Sequence, residues 1–397
     1  MIEFASESKR ARIKVVGIGG GGGNAVNSMV KCQQIGGVDF IVANTDVQSL
    51  GRSQADCRVQ IGESLTRGLG AGADPEKGKM AATDDIEKVK AYLIDSDMIF
   101  ITAGMGGGTG TGAAPVIAKA AKDSGALTVG IVTKPFLFEG KRRMKIADQG
   151  IEELKDAVDS LIVIPNQRLL GISGRDIALL DAFKMADDVL RQAVQGLSDI
   201  IMKSGYINVD FADVRTVMSN MGRAIMGTGM ASGEGKTIMA IQSAISSPLL
   251  EEGSIEGARG VLVNITGGPD LSLHEINEAS SIINENVTED ALLIIGHVVD
   301  NDMEDEVKVT VIATGFEKER QQSTSGFDIR PELLDMSMSG SDEGNVTPID
   351  GDNRNIPAFI RLKNQKREVP SRSEVKSSLS FRKDDLDVPA FLRRKAD

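Results

Sequence analysis

The sequence predicts an α/β protein: a parallel-sheet domain joined by a long central helix to a smaller α+β domain, with a disordered C-terminal tail. Three observations carry this. Short, almost continuously apolar runs recur in the first ~165 residues, each separated from the next by room for a helix, which is the signature of a sheet covered on both faces. A long amphipathic stretch follows, and beyond it the strands change style. The length of 397 residues suits two folded domains of roughly 150 residues with chain left over.

The strands of the first domain are Ile13–Ile18, Phe40–Ala43, Met98–Thr102, Thr128–Val132 and Leu161–Ile164. From Arg175 to Lys203 the residues Leu179, Phe183, Ala186, Leu190, Ala193, Leu197 and Ile201 recur at steps of three or four, which predicts one apolar helix face. The helix should stop at Ser204–Gly205. Asn208–Val214 then opens a second unit, whose strands are Gly260–Thr266, Leu292–Val299 and Glu306–Thr314. The expected organisation is a flexible N-terminus (1–10), a nucleotide domain (11–174), a linking helix (175–205), a second domain (206–316), a linker (317–383) and a terminal peptide (384–397).

Past Gly315 the periodicity fails. Residues 317–352 are acidic, 353–383 are basic, and apolar residues are sparse, which predicts disorder. The tail is neutral overall, so the net charge of −12 resides in the folded body and argues against nucleic acid as a partner. Residues 384–397 (DDLDVPAFLRRKAD) regain apolar anchors and read as a docking peptide built on Leu386, Pro389, Phe391 and Leu392. Asn355–Arg361 repeats its Pro, Ala, Phe and Arg.

No apolar run approaches the ~18 residues that span a bilayer, and the first ten residues lack a secretory pattern, so a cytoplasmic location without membrane insertion is expected. Cys32 and Cys57 read as buried small hydrophobes. With two His and two scattered Cys, no zinc site is expected.

Two glycine-rich loops carry the chemistry. Gly17–Asn24 (GIGGGGGN) directly follows the first strand; without Cβ atoms, backbone N–H groups can approach an anion at the start of a helix. This loop also satisfies G-x-G-x-x-G, and Asp46 follows the second strand, so a Rossmann-type dinucleotide-dependent dehydrogenase is one reading and a tight packing turn another. The second loop, Ala103–Gly112 (AGMGGGTGTG), makes another cradle that a dehydrogenase does not need. Neither loop has the lysine of a P-loop.

Gly106–Gly112 (GGGTGTG) resembles the phosphate-loop signature of the tubulin/FtsZ family, and the resemblance extends over about residues 10–316 and resumes at the C-terminal peptide. It implies a GTPase that polymerises head to tail into the bacterial division ring beneath the membrane at mid-cell, with GTP/GDP and Mg2+ bound. By this resemblance Gly20, Gly21, Gly22, Gly23 and Asn24, together with Gly106, Gly107, Gly108, Thr109 and Gly110, hold the phosphates. Gly70, Ala71, Gly72, Ala73 and Asp74 form the loop near the γ-phosphate. Glu139 meets the ribose and Arg143 the phosphate side.

Phe183 and Asp187 are four apart on one helix face, where a ring can stack on a base and a carboxylate can accept guanine N1–H and N2–H. Spacing alone favours Phe183 as a core residue of the apolar stripe; the resemblance reverses this and implies a place at the base. Asn166 adds a base contact. Asn208, Asp210 and Asp213 read alone as a helix cap; the resemblance makes them catalytic groups that act on the neighbouring subunit's nucleotide. No protein ligand for Mg2+ is named, and membrane-anchor and regulatory division proteins are the implied partners of the tail.

Overall fold

A computed structural model describes residues 11–316 except 34, 173–176, 204, 206, 208, 251–254 and 304. The chain runs β1 (Ile13–Ile18), α1 (Gly19–Cys32), β2 (Val38–Asn44), α2 (Val47–Gly51), β3 (Cys57–Gln60), α3 (Glu63–Thr66), α4 (Pro75–Asp84) and α5 (Ile86–Leu93). It continues through β4 (Met98–Gly104), α6 (Thr109–Asp123), β5 (Leu127–Lys134), α7 (Lys141–Ala157), β6 (Ser160–Pro165), α8 (Asn166–Ile172) and α9 (Leu179–Met202). Then follow α10 (Phe211–Met218), β7 (Gly222–Ser232), α11 (Lys236–Ile245), β8 (Gly260–Gly267), α12 (Leu273–Glu285), β9 (Leu292–Val299) and β10 (Glu306–Thr314).

The strands join into one sheet of order β3-β2-β1-β4-β5-β6-β7-β10-β8-β9. Pairing is parallel from β3 to β7, and β10 is antiparallel to both β7 and β8. The first domain's strands read as unbroken apolar runs because both faces are covered. On β4, Met98 and Phe100 face the core shared with α1 and α9, while Ile99, Ile101 and Ala103 face the core under α5, α6 and α7.

The second half departs further from expectation. β7 is a strand that the sequence does not announce, because GRAIMGTGMAS is rich in glycine, which weakens strands in isolation. Tertiary packing explains it. A Cβ at Gly227 would overlap the carbonyl oxygen of Ala244, and one at Gly229 that of Ala240, so α11 lies directly on the strand's backbone. The edge strand β3 is also absent from the expected set; it is four residues long and only partly buried. The cysteines correct another expectation. Cys32 is exposed at the end of α1, and Cys57 is half-buried on β3. The tail residues, including Leu386, Pro389, Phe391 and Leu392, lie outside the described residues.

Gly227→Ala is expected to destabilise the full chain by about 1–3 kcal/mol, since backbone lies where the methyl must go. Met230→Ala on the same strand removes a side chain that is 58% exposed and should shift the urea midpoint little. Equal shifts for the two variants would refute the close-packing account.

Candidate functional site

The site grows from where the chain reverses direction across the sheet. β1 has β2 on one side and β4 on the other, so the loops leaving β1 and β4 open into a common crevice at their carboxyl ends. The two loops touch backbone to backbone. A Cβ on Gly19 (φ +71°) would stand 2.8 Å from the Gly110 nitrogen, and one on Gly21 3.0 Å from Gly104. A Cβ on Gly22 would overlap the Thr102 carbonyl. Glycine is required at these positions so that the N-termini of α1 and α6 can converge. Neither helix is capped by a side chain, which leaves first-turn N–H groups and two positive helix ends for an anion.

The resulting cleft measures about 540 Å3. Gly20, Gly21 and Asn24 line it from the first loop, and Gly107, Gly108, Thr109 and Gly110 from the second. Gly70, Ala71 and Gly72 close one side; Glu139, Arg143, Asn166, Phe183 and Asp187 form the other. A methyl group on Gly20 or Gly107 would meet nothing within 4 Å, so these are the points where the backbone is open to a ligand.

Several expected residues support the walls instead of lining them. Gly22 packs on β4, Gly23 on Val42, and Gly106 (φ +97°) on the Arg143 carbonyl. Asp74 caps α4 by accepting from the Glu76 and Lys77 amides, and neither it nor Ala73 lines this cleft.

At the far wall Phe183 is 39% exposed, so it is not a core residue. Its edge meets the buried Phe136 ring at a centroid distance of 5.4 Å, which fixes its plane. Burial pushes the Asp187 carboxyl up to about 7. Asn166 is buried with its Oδ1 unpartnered, a costly arrangement that a donor on a ligand would relieve. Glu139 and Arg143 pair with each other at 2.6 Å, and Glu139 also accepts the Phe136 amide at 2.9 Å.

Asp46, which the dinucleotide reading assigns to a ribose, lines the cleft but serves as a helix cap. Its Oδ1 accepts the Gln48 amide at 2.9 Å and its Oδ2 the Ser49 hydroxyl at 2.8 Å, so it is the N-cap of α2. The Ser49 hydroxyl, followed by the two amides, holds its carboxyl below the usual range.

Asp210 and Asp213 stand elsewhere. Both are exposed, Asp210 as the N-cap residue of α10 with no side-chain cap bond and Asp213 in its first turn. Arg215 of this helix donates to the carbonyls of Asp97 and Gly125, one residue before β4 and two before β5. The helix end is anchored nearby, where Ser160 and Thr314 hydroxyls donate to the Met218 and Val217 carbonyls. The carboxylates therefore belong to the amino-terminal edge of strands whose carboxyl-terminal edge holds the cleft. Asn208 lies outside the described residues.

Comparison with known proteins accounts for both halves. Residues 12–174 match the GTPase domain of the Tubulin/FtsZ family, and residues 222–317 match the C-terminal domain of the FtsZ family. The chain belongs to the FtsZ family. It is 49% identical to the cell division protein FtsZ of Pseudomonas aeruginosa, over 98% of each chain, and 49% identical to that of Buchnera aphidicola over the full length of both. An FtsZ dimer from M. jannaschii superposes with a TM-score of 0.74 at 46% identity, covering 78% of this chain and 89% of that one. A CetZ2 protofilament protein from Haloferax volcanii shares the fold at 21% identity, with a TM-score of 0.67 over 77% of this chain and 94% of its own. The chain is a tubulin-like GTPase that binds GTP and GDP, and the dehydrogenase alternative has no support.

Sequence reasoning missed Asn44, Ser49 and Thr133 in the cleft wall. The signal for Asn44 and Thr133 was position alone, since both sit at the carboxyl end of a parallel strand, whereas Ser49 lies in α2 beyond β2. Asp46→Ala is expected to cost about 1 kcal/mol in urea unfolding through loss of the α2 cap. An unchanged midpoint would count against the capping role.

Proposed function

We propose that the chain stacks head to tail with copies of itself, and that Asp210 and Asp213 of one copy complete the GTP site of the next. One observation carries this reading: cleft and carboxylates lie at opposite ends of the same strands. The seven residues of β4 alone span roughly 20 Å, too far for either carboxylate to reach a nucleotide in its own chain. Stacking brings one end against the other. Such a contact is heterologous and does not close, so it propagates as a filament.

The mouth of the cleft supports a partner as well. Leu69, in the cleft lining, is 83% exposed, and Leu137 and Phe138, just before Glu139 in sequence, are also exposed; this is apolar surface that a second subunit would remove from water. The M. jannaschii FtsZ dimer supports self-association.

In the assembled site, uncapped N–H groups of both glycine loops and Arg143 bear on the phosphates. Phe183 stacks on the base, while ionised Asp187 accepts its N1–H and N2–H. Asn166 supplies a further base contact, and Glu139 faces the ribose. Asp210 and Asp213, assisted by Asn208, orient and polarise the water whose oxygen attacks the γ-phosphorus. The bond to the β–γ bridging oxygen breaks, and GDP and phosphate leave.

Among the described residues no three His, Cys, Asp or Glu side chains converge on a metal position. A Mg2+ would be held mainly through phosphate oxygens and water, where it would supply charge neutralisation. The loop 70–74, with Gly70 and Gly72 at positive φ beside the second cradle, is suited to sense the γ-phosphate. Similarity to cell division proteins over the whole chain supports a filament of the division ring at mid-cell, in the cytoplasm beneath the membrane. Among the described residues no helix is long and apolar enough to cross a membrane. The C-terminal peptide would dock membrane-anchor and regulatory proteins.

Asp213→Ala is expected to keep GTP binding and lose hydrolysis by about 10²–10⁴-fold. Mixing it with a chain whose Gly108–Gly110 loop is blocked should restore some turnover, because the mutant's pocket can then meet an intact Asp210–Asp213 segment. Normal hydrolysis by Asp213→Ala polymers would refute the shared site.

Guanine binding should also depend on pH. With the free Asp187 carboxyl at about 7 and the bound form favoring the anion, affinity is expected to be flat above that pH. Below it, affinity should weaken by about tenfold per unit until the bound-state pKa is reached. Guanosine is the suitable probe, since it lacks phosphates that titrate in the same range. Asp187→Asn should bind weakly with no such slope, and a flat wild-type profile would remove Asp187 from the base contact.

A further inference from the structure

We propose that Thr45, which does not line the cleft, is a positioning residue for phosphate binding: its hydroxyl donates to Thr109 Oγ1 and leaves the Thr109 proton free for a phosphate oxygen. This deepens the reading of the cleft as a GTP site and rests on it.

Thr45 and Thr109 come from different loops, 64 residues apart in sequence, and their hydroxyl oxygens stand 2.6 Å apart. Thr45 is fully buried, whereas Thr109 opens α6 and lines the cleft. Thr45 cannot move away. On one side the Asn44 carbonyl accepts the Ile61 amide at 3.0 Å; on the other Asp46 is committed to capping α2. Its own carbonyl accepts the Thr66 hydroxyl at 3.3 Å.

Two hydroxyls at this distance share one proton, and either can be the donor. If Thr109 donated inward, it would offer an anionic ligand only its lone pairs. If Thr45 donates, Thr109 becomes an outward donor, polarised by the bond it accepts. An anion in the cleft selects the second arrangement. The Thr45 oxygen also lies 4.0 Å from the Cβ position of Gly70, which places it at the seam between the second cradle and the 70–74 loop.

The test uses the full chain and two probes, GTP and guanosine, which keeps base and ribose and lacks phosphates. Thr45→Val, of nearly equal volume, is expected to weaken GTP by about fivefold to tenfold, the scale of one hydrogen bond in a charged chain, and to leave guanosine within about twofold. Thr45→Ser should restore GTP binding. In a Thr109→Val background, Thr45→Val should cost nothing further, because the residue it positions is gone. Should Thr45→Val fail to fold, Thr45→Ala takes its place in the same comparison.

The proposal is overturned by equal losses for GTP and guanosine, by failure of Ser to rescue, or by a Thr45→Val cost that persists in the Thr109→Val background. Unchanged GTP binding by Thr109→Val alone would take down the phosphate-site reading together with the proposal.

Discussion

Everything in the cleft depends on two backbones being allowed to touch. The loops after β1 and β4 approach so closely that a methyl group on Gly19, Gly21 or Gly22 would strike main-chain atoms of the other loop or strand. Only then do the N-termini of α1 and α6 converge, and only converging helix ends present enough oriented N–H groups to hold a polyphosphate without a P-loop lysine. The same constraint recurs away from the ligand. Gly78 and Gly112 let α4 lie directly against α6, which fixes the 70–74 loop beside the second cradle. Gly227 and Gly229 do the same for α11 on β7.

The second organising feature is directional. A parallel sheet has two unlike ends, and this chain places different chemistry on each. The carboxyl end holds anion-binding loops, an aromatic wall and exposed apolar side chains; the amino end carries α10 with two exposed carboxylates. An enzyme that gathered all its groups at one end would act alone. In the proposed head-to-tail contact, separating them by the length of the strands would make hydrolysis a property of the contact and couple turnover to assembly.

The wall proposed to hold the base carries a cost in the free protein. Asp187 is half-buried without a cationic partner among the interactions that shift it, and Asn166 keeps an unpartnered acceptor. Both arrangements are unfavorable in the free protein, since desolvation opposes the charge and an unmet acceptor forfeits a hydrogen bond. In the proposed base contact, a guanine edge, with two adjacent donors, would relieve both, while adenine lacks that pair. In the proposed base site, selectivity would come from groups the protein leaves unsatisfied, beside a Phe183 ring held at right angles to Phe136.

The first half of the fold was legible in the sequence because its strands are buried on both faces and its helices amphipathic, so periodicity and burial report the same thing. Gly106–Gly112 was legible for a related reason, since a run of glycines around two hydroxyls has few uses beyond an anion cradle. Asp46 was misleading because a carboxylate after a strand looks alike whether it binds ribose or caps α2, and only its bonds to Gln48 and Ser49 tell the two apart. Phe183 was ambiguous because the helical stripe continues through it; its exposure depends on where α9 leaves the sheet. β7 could not be read at all, since its glycines make sense only against α11. By itself, then, the sequence determined the local periodicities and the identity of the anion loops, because these are set within a few residues by sterics. The tertiary structure alone decided which loops meet, that Thr45 reaches Thr109, and that cleft and carboxylates occupy opposite ends of the sheet, because those relations depend on strand order and direction, which no local pattern encodes.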